Sequence, residues 1–249
     1  EATLEAEGQR LAFEPMDHRG LLGTTGTPTI GGVVGANVSG PRRIQCGAAR
    51  DFLLGVRFVD GQGQIIRNGG RVMKNVTGYD LVKLMAGSWG TLGVLTEVAF
   101  KVLPETETQA SVLIEGLSPH QAVEAMSSAL GSPFEVTGAA HLPGDTSLTM
   151  LRLEGFTASV AYRTERLSAL LAPFGEVRAE SDAETVRAAW RGVRDVTAFS
   201  GEPGDVWRIS VKPSDAPDIA ALAGGRAMFD WGGGLILVLV PGAADLRAR

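Results

Sequence analysis

The stretch that decides the fold covers residues 23–40 and reads Gly23-Thr-Thr-Gly-Thr-Pro-Thr-Ile-Gly-Gly-Val-Val-Gly-Ala-Asn-Val-Ser-Gly40. Thr29 is a residue type that caps helices, so a short helix is predicted to begin at Ile30. Glycines directly inside that helix leave its first N–H groups uncovered, which favours the docking of an anion. This first glycine cluster therefore predicts a site for a phosphate or pyrophosphate group.

A second glycine cluster, Gly87-Ser-Trp-Gly-Thr-Leu-Gly93, lies between a predicted helix over 80–86 and a predicted strand over 94–103. Each glycine can turn with positive φ and lets bare amides approach a ligand. Neither cluster matches the dinucleotide fingerprint or the P-loop, the two commonest nucleotide motifs. Taken alone, each cluster leaves two interpretations open: contact with a ligand, or glycines that serve turns and close packing.

The composition is that of an ordinary globular protein and argues against several function classes. Of 249 residues 44% are hydrophobic and 20% are charged, so a sizeable core is available. The net charge is −5 and there is no basic block, which argues against a general nucleic-acid binder. The single cysteine, Cys46, and three histidines do not form a zinc-binding set, so no metal is expected. No apolar run is long enough to span a membrane.

Glycine density and a polar segment predict a domain boundary near residue 106. Residues 1–104 hold 18 of the 33 glycines, which indicates repeated tight turns or close approach of the backbone to a ligand. Pro104 is followed by the polar run Glu-Thr-Glu-Thr-Gln, which is typical of a short linker. We therefore expect one domain over residues 1–105 and a second over 106–249.

The second domain is predicted to begin with a βαββαβ layer over residues 111–180. A capping box at Ser118 and apolar residues at helical spacing predict helices near 118–130 and 157–172. Short apolar runs flank both helices and predict strands, one of them over Pro133–Ala140. Core packing explains this pattern more simply than a direct chemical role does.

The rest of the chain is predicted to supply another strand–helix–strand set, which ends in a hairpin from Met228 to Val240. The hairpin includes Leu235–Val240, six consecutive large apolar residues, so both faces of this strand need cover. We expect a missing tail or a partner to provide that cover. A position inside the sheet of the second domain would remove the need for it.

Motifs along the first domain recur in an order and spacing that point to one family. They are Thr29-Ile-Gly-Gly32, Asn37-Val-Ser-Gly40, Ala48-Ala-Arg-Asp51, Lys74-Asn-Val-Thr-Gly-Tyr-Asp-Leu81 and Gly87-Ser-Trp-Gly-Thr-Leu-Gly-Val94. In this order they resemble the second half of the FAD-binding domain of the vanillyl-alcohol-oxidase (PCMH) type FAD-linked oxidases. Within that family, three further stretches look most like the FAD-binding subunits of bacterial glycolate oxidases: Ser39-Gly-Pro-Arg-Arg43, residues 71–80 and Phe229-Asp-Trp-Gly-Gly-Gly234.

The resemblance implies an α+β fold and an FAD site. The fold would be the second lobe of a PCMH-type FAD-binding domain, followed by a ferredoxin-like βαββαβ-rich cap domain. The residues expected to line the flavin and its pyrophosphate are Thr29, Gly31, Gly32, Asn37, Ser39 and Gly40. Those expected to wrap the adenosine end are Gly90, Thr91, Gly93 and Val94. The resemblance assigns no catalytic side chain and no metal ligand.

The chain also departs from the family pattern at both ends. The family's FAD domain begins with an extra lobe, whose arginine- and glycine-rich loop grips the pyrophosphate from the other side. Its usual C-terminal segment ends in an asparagine–proline–glycine signature, and neither feature is present in this sequence. We therefore expect the chain to be a fragment that lacks the first lobe, binds FAD weakly or not at all and is inactive by itself.

Other side chains are candidates for a role near the flavin, each with an ordinary alternative. His18 precedes the first glycine cluster and would assist proton transfer, although an exposed loop histidine is the simpler interpretation. Lys74 would place positive charge near the flavin or a substrate carboxylate, or be a solvated lysine. Cys46 would lie near the flavin ring or be a small buried hydrophobe. Arg42 and Arg43 would counter a phosphate or meet a partner subunit.

The function implied by the resemblance is that of a flavoprotein subunit of a glycolate (2-hydroxy acid) oxidase. Hydride would pass from the hydroxy acid to the flavin, because no hydrolytic constellation stands out and the chemistry belongs to the cofactor. The implied partners are a paralogous FAD-binding subunit and an iron–sulfur subunit. The implied location is cytoplasmic, peripheral to the inner membrane through those partners. Two alternatives remain: a non-catalytic subunit beside a catalytic paralogue, and a stand-alone D-lactate dehydrogenase-like enzyme.

Overall fold

The structure is a computed structural model that describes residues 1–72, 78–242 and 246. Its contacts divide the chain into two compact units. The first unit comprises Glu1–Asp17 and Thr25–Glu105, and the second comprises His18–Thr24 and residues from Thr106 onward. The short segment His18–Thr24 thus belongs with the second unit although it lies within the first unit's stretch of sequence. The Lys74 side chain lies outside the described residues.

The described residues form helices and strands along the whole chain. The helices are α1 (Ala2–Glu5), α2 (Arg19–Leu22), α3 (Ile30–Gly35), α4 (Arg43–Cys46), α5 (Ala49–Phe52), α6 (Leu81–Met85), α7 (Pro119–Leu130), α8 (Thr157–Leu171), α9 (Ala183–Arg194) and α10 (Ala216–Ala223). The strands are β1 (Gln9–Arg10), β2 (Leu53–Val59), β3 (Ile65–Gly69), β4 (Val94–Phe100), β5 (Leu103–Pro104), β6 (Thr108–Glu115), β7 (Gly138–Leu142), β8 (Leu148–Gly155), β9 (Val177–Glu180), β10 (Asp205–Ser210), β11 (Arg226–Asp230) and β12 (Leu235–Val240). Short 3-10 turns occur at Ala172–Phe174, Thr197–Phe199, Pro213–Asp215 and Trp231–Gly233.

The first unit is built on a three-stranded antiparallel sheet in the order β3-β2-β4. A hairpin turn joins β2 to β3, and the Asp60 carboxylate stabilises it by accepting from the amides of Gln62 and Gln64, each at 2.9 Å. The predicted strand over 94–103 is interrupted after Phe100, and the residues beyond it form β5, which pairs with β1. Two apolar clusters fill this unit, one under the sheet against α3 and α6 and one around Phe13.

The second unit contains the predicted βαββαβ layer, formed by β6, α7, β7, β8, α8 and β9. These four strands lie in the order β7-β8-β6-β9, with antiparallel neighbours throughout, which is the ferredoxin-like arrangement. Strand β7 begins only at Gly138, so the strand predicted over Pro133–Ala140 starts too early. Glu135 has φ +51, and this left-handed conformation interrupts an extended chain before Gly138.

Strands β10, β12 and β11 extend this layer to a seven-stranded sheet in the order β10-β12-β11-β7-β8-β6-β9. All six residues of β12 are buried, and the strand is hydrogen-bonded on both sides, to β10 and to β11. The expectation that Leu235–Val240 needs a missing tail or a partner is therefore wrong. An all-apolar run fits an interior strand because both of its faces are covered within the chain.

Candidate functional site

The two glycine clusters lie side by side in the first unit. The amide of Gly87 donates to the carbonyl of Val34 at 3.0 Å, and the amide of Trp89 donates to the carbonyl of Gly35 at 2.9 Å. These bonds fasten the loop over residues 87–93 to helix α3. Segments more than fifty residues apart in sequence thus form one surface, which we call the glycine surface and define as α3 with residues 87–94.

Two of the three glycines of α3, Gly31 and Gly35, are not required by packing or by backbone conformation. None of Gly31, Gly32 and Gly35 has a positive φ. A Cβ on Gly31 would find its nearest neighbour, the Cβ of Leu95, at 3.9 Å, and a Cβ on Gly35 would lie 3.9 Å from the Gly90 amide nitrogen. Glycine inside a helix costs roughly 0.5–1 kcal/mol relative to alanine. Alanine fits at Gly31 and Gly35, so neither packing nor backbone conformation explains the glycine at these two positions.

Helix α3 begins where the sequence predicts. Thr29 is extended, with φ −118, and its hydroxyl oxygen accepts from the Gly32 amide at 3.1 Å. A Cβ on Gly32 would lie 3.3 Å from that hydroxyl, so a larger side chain would press against the cap. Thr29 and Gly32 are both exposed, and this end of the helix is open to a ligand.

Other predicted site glycines are explained by packing or backbone conformation. A Cβ on Gly40 would overlap the carbonyl oxygen of Glu14, and a Cβ on Gly93 would overlap the carbonyl oxygen of Val59. Gly90 has φ +74, a left-handed conformation that favours glycine, but no heavy atom within 4 Å limits the space around it. The close approach of another backbone segment therefore requires glycine at Gly40 and Gly93. At Gly90 the backbone conformation favours glycine, and the space beside it is open.

The polar side chains among the predicted site residues make local hydrogen bonds. Asn37 has φ +49, and its Oδ1 accepts from the Arg50 amide at 2.9 Å, which ties the end of α3 to α5. The Ser39 hydroxyl accepts from Arg43 Nη1 at 3.2 Å. The Thr91 hydroxyl donates to the Ser88 carbonyl at 2.6 Å, which closes the turn of the loop over residues 87–93. These bonds rigidify the backbone of the site.

The glycine surface carries exposed apolar side chains, which we call the apolar rim; Val94 was among the predicted site residues, whereas Ile30 and Trp89 were missed. Trp89 is 77% exposed with φ +54, Val94 is 69% exposed and Ile30 is 45% exposed. Large apolar side chains at this exposure suit contact with a planar apolar group. Gly35 was also missed, although it belongs to the same glycine-rich helix. The signal for Trp89 was available in the sequence, as the only large side chain among the small residues 87–91.

The remaining candidates fall into ordinary structural roles. Arg42 is buried and pairs with Glu14, with 3.3 Å between Nη1 and Oε1. Arg43 contacts Ser39 as described above. The Cys46 thiol is half-buried and donates to the Ala12 carbonyl at 3.2 Å. His18 is exposed at the start of α2 and belongs to the second unit.

The described ranges contain neither a cluster of metal ligands nor a helix suited to span a membrane. Among the residues that the structure describes, no group of three or more His, Cys, Asp and Glu side chains is placed to hold a metal ion. None of the described helices combines the length and the apolar character that a membrane crossing requires.

Comparison with known proteins shows what the chain is similar to. Residues 9–69, which include α3 and the segment up to Gly40, match the FAD binding domain family. Over 236 residues, or 94% of its length, the chain is 40% identical to glycolate oxidase subunit GlcE of Escherichia coli K12. One segment of the chain thus matches an FAD binding domain, and most of its length is similar to a subunit of glycolate oxidase. FAD is accordingly the cofactor of this domain, as the sequence predicts.

Two further comparisons show how much of a related protein the chain covers. It is 45% identical over 85 residues to glycolate oxidase subunit GlcD of Bacillus subtilis, which is 34% of this chain and 18% of that protein. A solved structure of alkyldihydroxyacetonephosphate synthase superposes on 95% of this chain and 54% of the other, with a TM-score of 0.70 and 16% identity. The predicted fold class is thereby confirmed. The chain spans about 60% of the length of GlcE.

The residues present fit FAD. The matched segment contains Gly31 and Gly32, whose missing side chains leave a bare surface that a Cβ would fill. The second glycine cluster lies outside the matched segment but is hydrogen-bonded to α3. Exposed backbone amides suit a pyrophosphate, and the apolar rim suits an aromatic ring system.

Proposed function

We propose that this chain is the FAD-binding portion of a glycolate (2-hydroxy acid) oxidase subunit, with its first unit as part of the FAD-binding domain and its second as the cap domain. The similarity to GlcE supports the subunit assignment. The observation that carries the proposal is that Gly31 and Gly35 lie in a helix that does not need glycine. A cofactor that rests on the backbone accounts for both residues.

The chain's own residues bind and orient the cofactor. Thr29, Gly31 and Gly32 would present bare backbone to the flavin and pyrophosphate, and Asn37, Ser39 and Gly40 would fix the loop that follows. Bound FAD supplies the acceptor for the hydride of the hydroxy acid. The segment that wraps the adenosine end would be formed by Gly90, Thr91, Gly93 and Val94.

The apolar rim defined above would keep water away from the bound ring system. Ile30, Trp89 and Val94 are each substantially exposed, and an exposed apolar side chain is costly in water, a cost that contact with a planar ligand relieves. The left-handed conformation of Trp89 turns the chain at this point. A strained residue of this kind commonly occurs at a binding site.

The direct test is the visible absorption spectrum of the purified complete gene product, with and without glycolate. The proposal expects bound flavin in the untreated protein and loss of its visible absorption when glycolate is added without oxygen. A protein that folds but purifies without flavin, and takes up none when FAD is supplied, would contradict the assignment.

A second candidate function is that of a flavin-binding subunit that does no chemistry itself. None of the ten predicted site residues titrates near neutral pH, and the oxidation of a hydroxy acid needs a base. Flavin that stays oxidised with glycolate in the purified subunit, but is reduced in the assembled complex, favours this candidate. Flavin reduction in the purified subunit favours direct catalysis.

The proposed partners are a paralogous FAD-binding subunit and an iron–sulfur subunit, and the proposed location is cytoplasmic, at the inner membrane through those partners. The relatives support an assembly because GlcE and GlcD are both named subunits of glycolate oxidase. Co-purification of the tagged complete protein from its native cell tests the assembly. Recovery as a lone monomer with full glycolate- or lactate-oxidising activity would favour a stand-alone dehydrogenase instead.

A further inference from the structure

A cleft on the sheet β3-β2-β4 brings three arginines together. It has a volume of about 180 Å³ and is lined by Arg57, Arg67 and Arg71, with Glu97 at one side and Gly55 and Gly70 beneath. None of these residues belongs to the glycine surface. The cleft therefore has to be explained separately.

The charges around the cleft do not balance. Arg57 of β2 lies directly opposite Arg67 of β3 on one side and opposite Glu97 of β4 on the other. Arg57 forms an ion pair with Glu97, its neighbour in that register. Within the described part of the chain, the side chains of Arg67 and Arg71 have no hydrogen-bond or ion-pair partner. One carboxylate thus faces three guanidinium groups.

Without a bound anion, this arrangement of charges destabilises the folded chain. Like charges directly opposite each other on neighbouring strands destabilise a sheet. In addition, the Nε atom of Arg57 is buried and has no hydrogen-bond partner among the described residues. A buried donor without an acceptor also costs free energy. Both costs fall if an anion enters the cleft and accepts from the arginines.

The glycines fix the shape of the cleft. A Cβ on Gly55 would lie 2.6 Å from the carbonyl oxygen of Gly70, so residue 70 crosses directly over strand β2. Gly69 has φ +72, and a Cβ there would overlap the carbonyl oxygen of Leu54. This close crossing places Arg71 at the rim of the cleft, next to the arginines of β2 and β3.

We propose that this cleft binds a small oxyanion, a phosphate or carboxylate group, at a site distinct from the FAD site. Guanidinium groups form paired, charge-assisted hydrogen bonds with both kinds of oxyanion. The volume is below the roughly 300–1,000 Å³ of pockets for drug-sized ligands, so the cleft suits one phosphate or a short dicarboxylate. The proposal does not depend on the proposed oxidase function.

The test is calorimetric titration of the FAD-saturated complete protein, in phosphate-free buffer, with inorganic phosphate and separately with succinate. We expect saturable binding by at least one of these probes. Binding of phosphate assigns a phosphoryl ligand, and binding of succinate alone assigns a carboxylate. If a folded protein shows no saturable binding of either, the proposal is wrong.

Matched variants locate the site. Arg67→Gln removes one exposed guanidinium from the cleft and should weaken binding of the probe roughly tenfold. Arg191→Gln, on the exposed side of α9, removes the same charge elsewhere and should leave the affinity unchanged. Equal weakening by both variants would mean attraction by net charge only and would overturn the proposal.

The FAD content of the same variants separates this site from the cofactor site. Arg67→Gln should retain FAD as the wild type does, and Gly32→Val should still bind the oxyanion if it folds. Loss of FAD in the folded Arg67→Gln protein would make the cleft part of the cofactor site and would overturn the claim of a distinct site.

Discussion

Gly31 of α3 faces Leu95 of β4, and a Cβ added to Gly31 would lie 3.9 Å from the Leu95 Cβ, which is ordinary van der Waals contact. Room for a methyl group therefore exists at a helical position with negative φ. Because alanine stabilises helices relative to glycine, selection for stability alone would favour alanine here. The glycine at this position supports the proposal that the surface of α3 binds a ligand.

Gly31→Ala should separate stability from cofactor binding. We expect the free energy of unfolding to stay equal or rise by up to about 1 kcal/mol, because alanine restricts the unfolded chain. Affinity for FAD should fall at least tenfold, on the order of 1.4 kcal/mol, because the methyl group holds the cofactor away from the backbone. Urea unfolding and a fluorescence titration with FAD, both on the complete protein, measure the two effects.

Gly32→Val should act more strongly at the same surface, since its side chain would press on Thr29 and is β-branched. The matched control is Gly61→Ala in the β2–β3 turn, where no heavy atom lies within 4 Å of the added Cβ and φ is not left-handed. Its neighbour Gly63 is a poorer control because its φ is +79. Equal FAD content in Gly32→Val and Gly61→Ala would mean that the glycines of α3 are structural.

His141 should make the stability of the second unit depend on pH. Its Nδ1 lies 3.0 Å from the Thr149 hydroxyl, its ring lies against Phe229, and burial lowers its pKa from 6.5 to about 4. Between these two pKa values, His141 is protonated in the unfolded chain and neutral in the folded chain. The stabilisation is complete above pH 6.5 and is lost as the pH falls toward 4.

Between about pH 7 and about pH 5 this loss should amount to roughly 2 kcal/mol. Urea unfolding of wild type and His141→Asn at both pH values measures it, because asparagine keeps a polar group but does not titrate. Over this pH range the free energy of unfolding of the variant should fall by about 2 kcal/mol less than that of the wild type. The exposed His120, 3.2 Å from Asp218, is the control, and His120→Asn should behave as the wild type does. Equal pH dependence in all three proteins would contradict the burial argument.

Breaking a buried ion pair in β8 should cost far more stability than breaking an exposed one on α9. Arg152 and Glu154 are 2% and 7% exposed, with 3.6 Å between Nε and Oε2, and the Arg152 guanidinium lies 4.6 Å from the centre of the Trp190 ring. Glu154→Gln leaves the Arg152 charge buried without its carboxylate, so we expect a loss of about 3 kcal/mol.

The matched control for the buried pair is Glu184→Gln, which breaks the exposed pair with Arg187 one turn away on α9. Its effect should fall within the error of the measurement because water solvates both partners. Chemical denaturation of the two variants and the wild type gives the comparison. Similar effects in both variants would show that water reaches the Arg152 side chain.

Local signals in the sequence predicted local structure well. The cap of α3 at Thr29 and the capping box of α7 at Ser118 are contacts over three residues, and both occur as predicted. Helix α7 ends at Leu130, directly before Gly131, as the sequence also indicates. Such features need no knowledge of distant partners, because the interacting atoms are neighbours in the chain.

Long-range relationships were predicted only through the family resemblance or not at all. The hydrogen bond between Gly87 and Val34 joins segments that no periodicity connects. The apolar run of β12 indicated burial but could not say that β10 and β11 provide its neighbours. The burial of Arg152 depends on Trp190, which lies on an element separated from β8 by α8 and β9. In each of these examples the three-dimensional fold decides which residues meet. The spacing of residues along the sequence does not encode that information.

The Asp230-Trp-Gly-Gly-Gly234 stretch, one of the motifs behind the resemblance, should prove to be a structural turn. Gly233 has φ +99, and an added Cβ would lie 3.1 Å from Val123 and 3.4 Å from Pro213. Gly234 has φ −69, and an added Cβ would have its nearest neighbour, the Trp231 carbonyl oxygen, at 3.4 Å. Gly233→Ala should therefore cost about 2 kcal/mol of stability, through backbone strain and crowding, whereas Gly234→Ala should cost much less. Urea unfolding measures both variants, and the flavin content of the folded fraction should be unchanged in each. If Gly233→Ala folds with wild-type stability but loses flavin, the turn serves the cofactor and does not simply connect two strands.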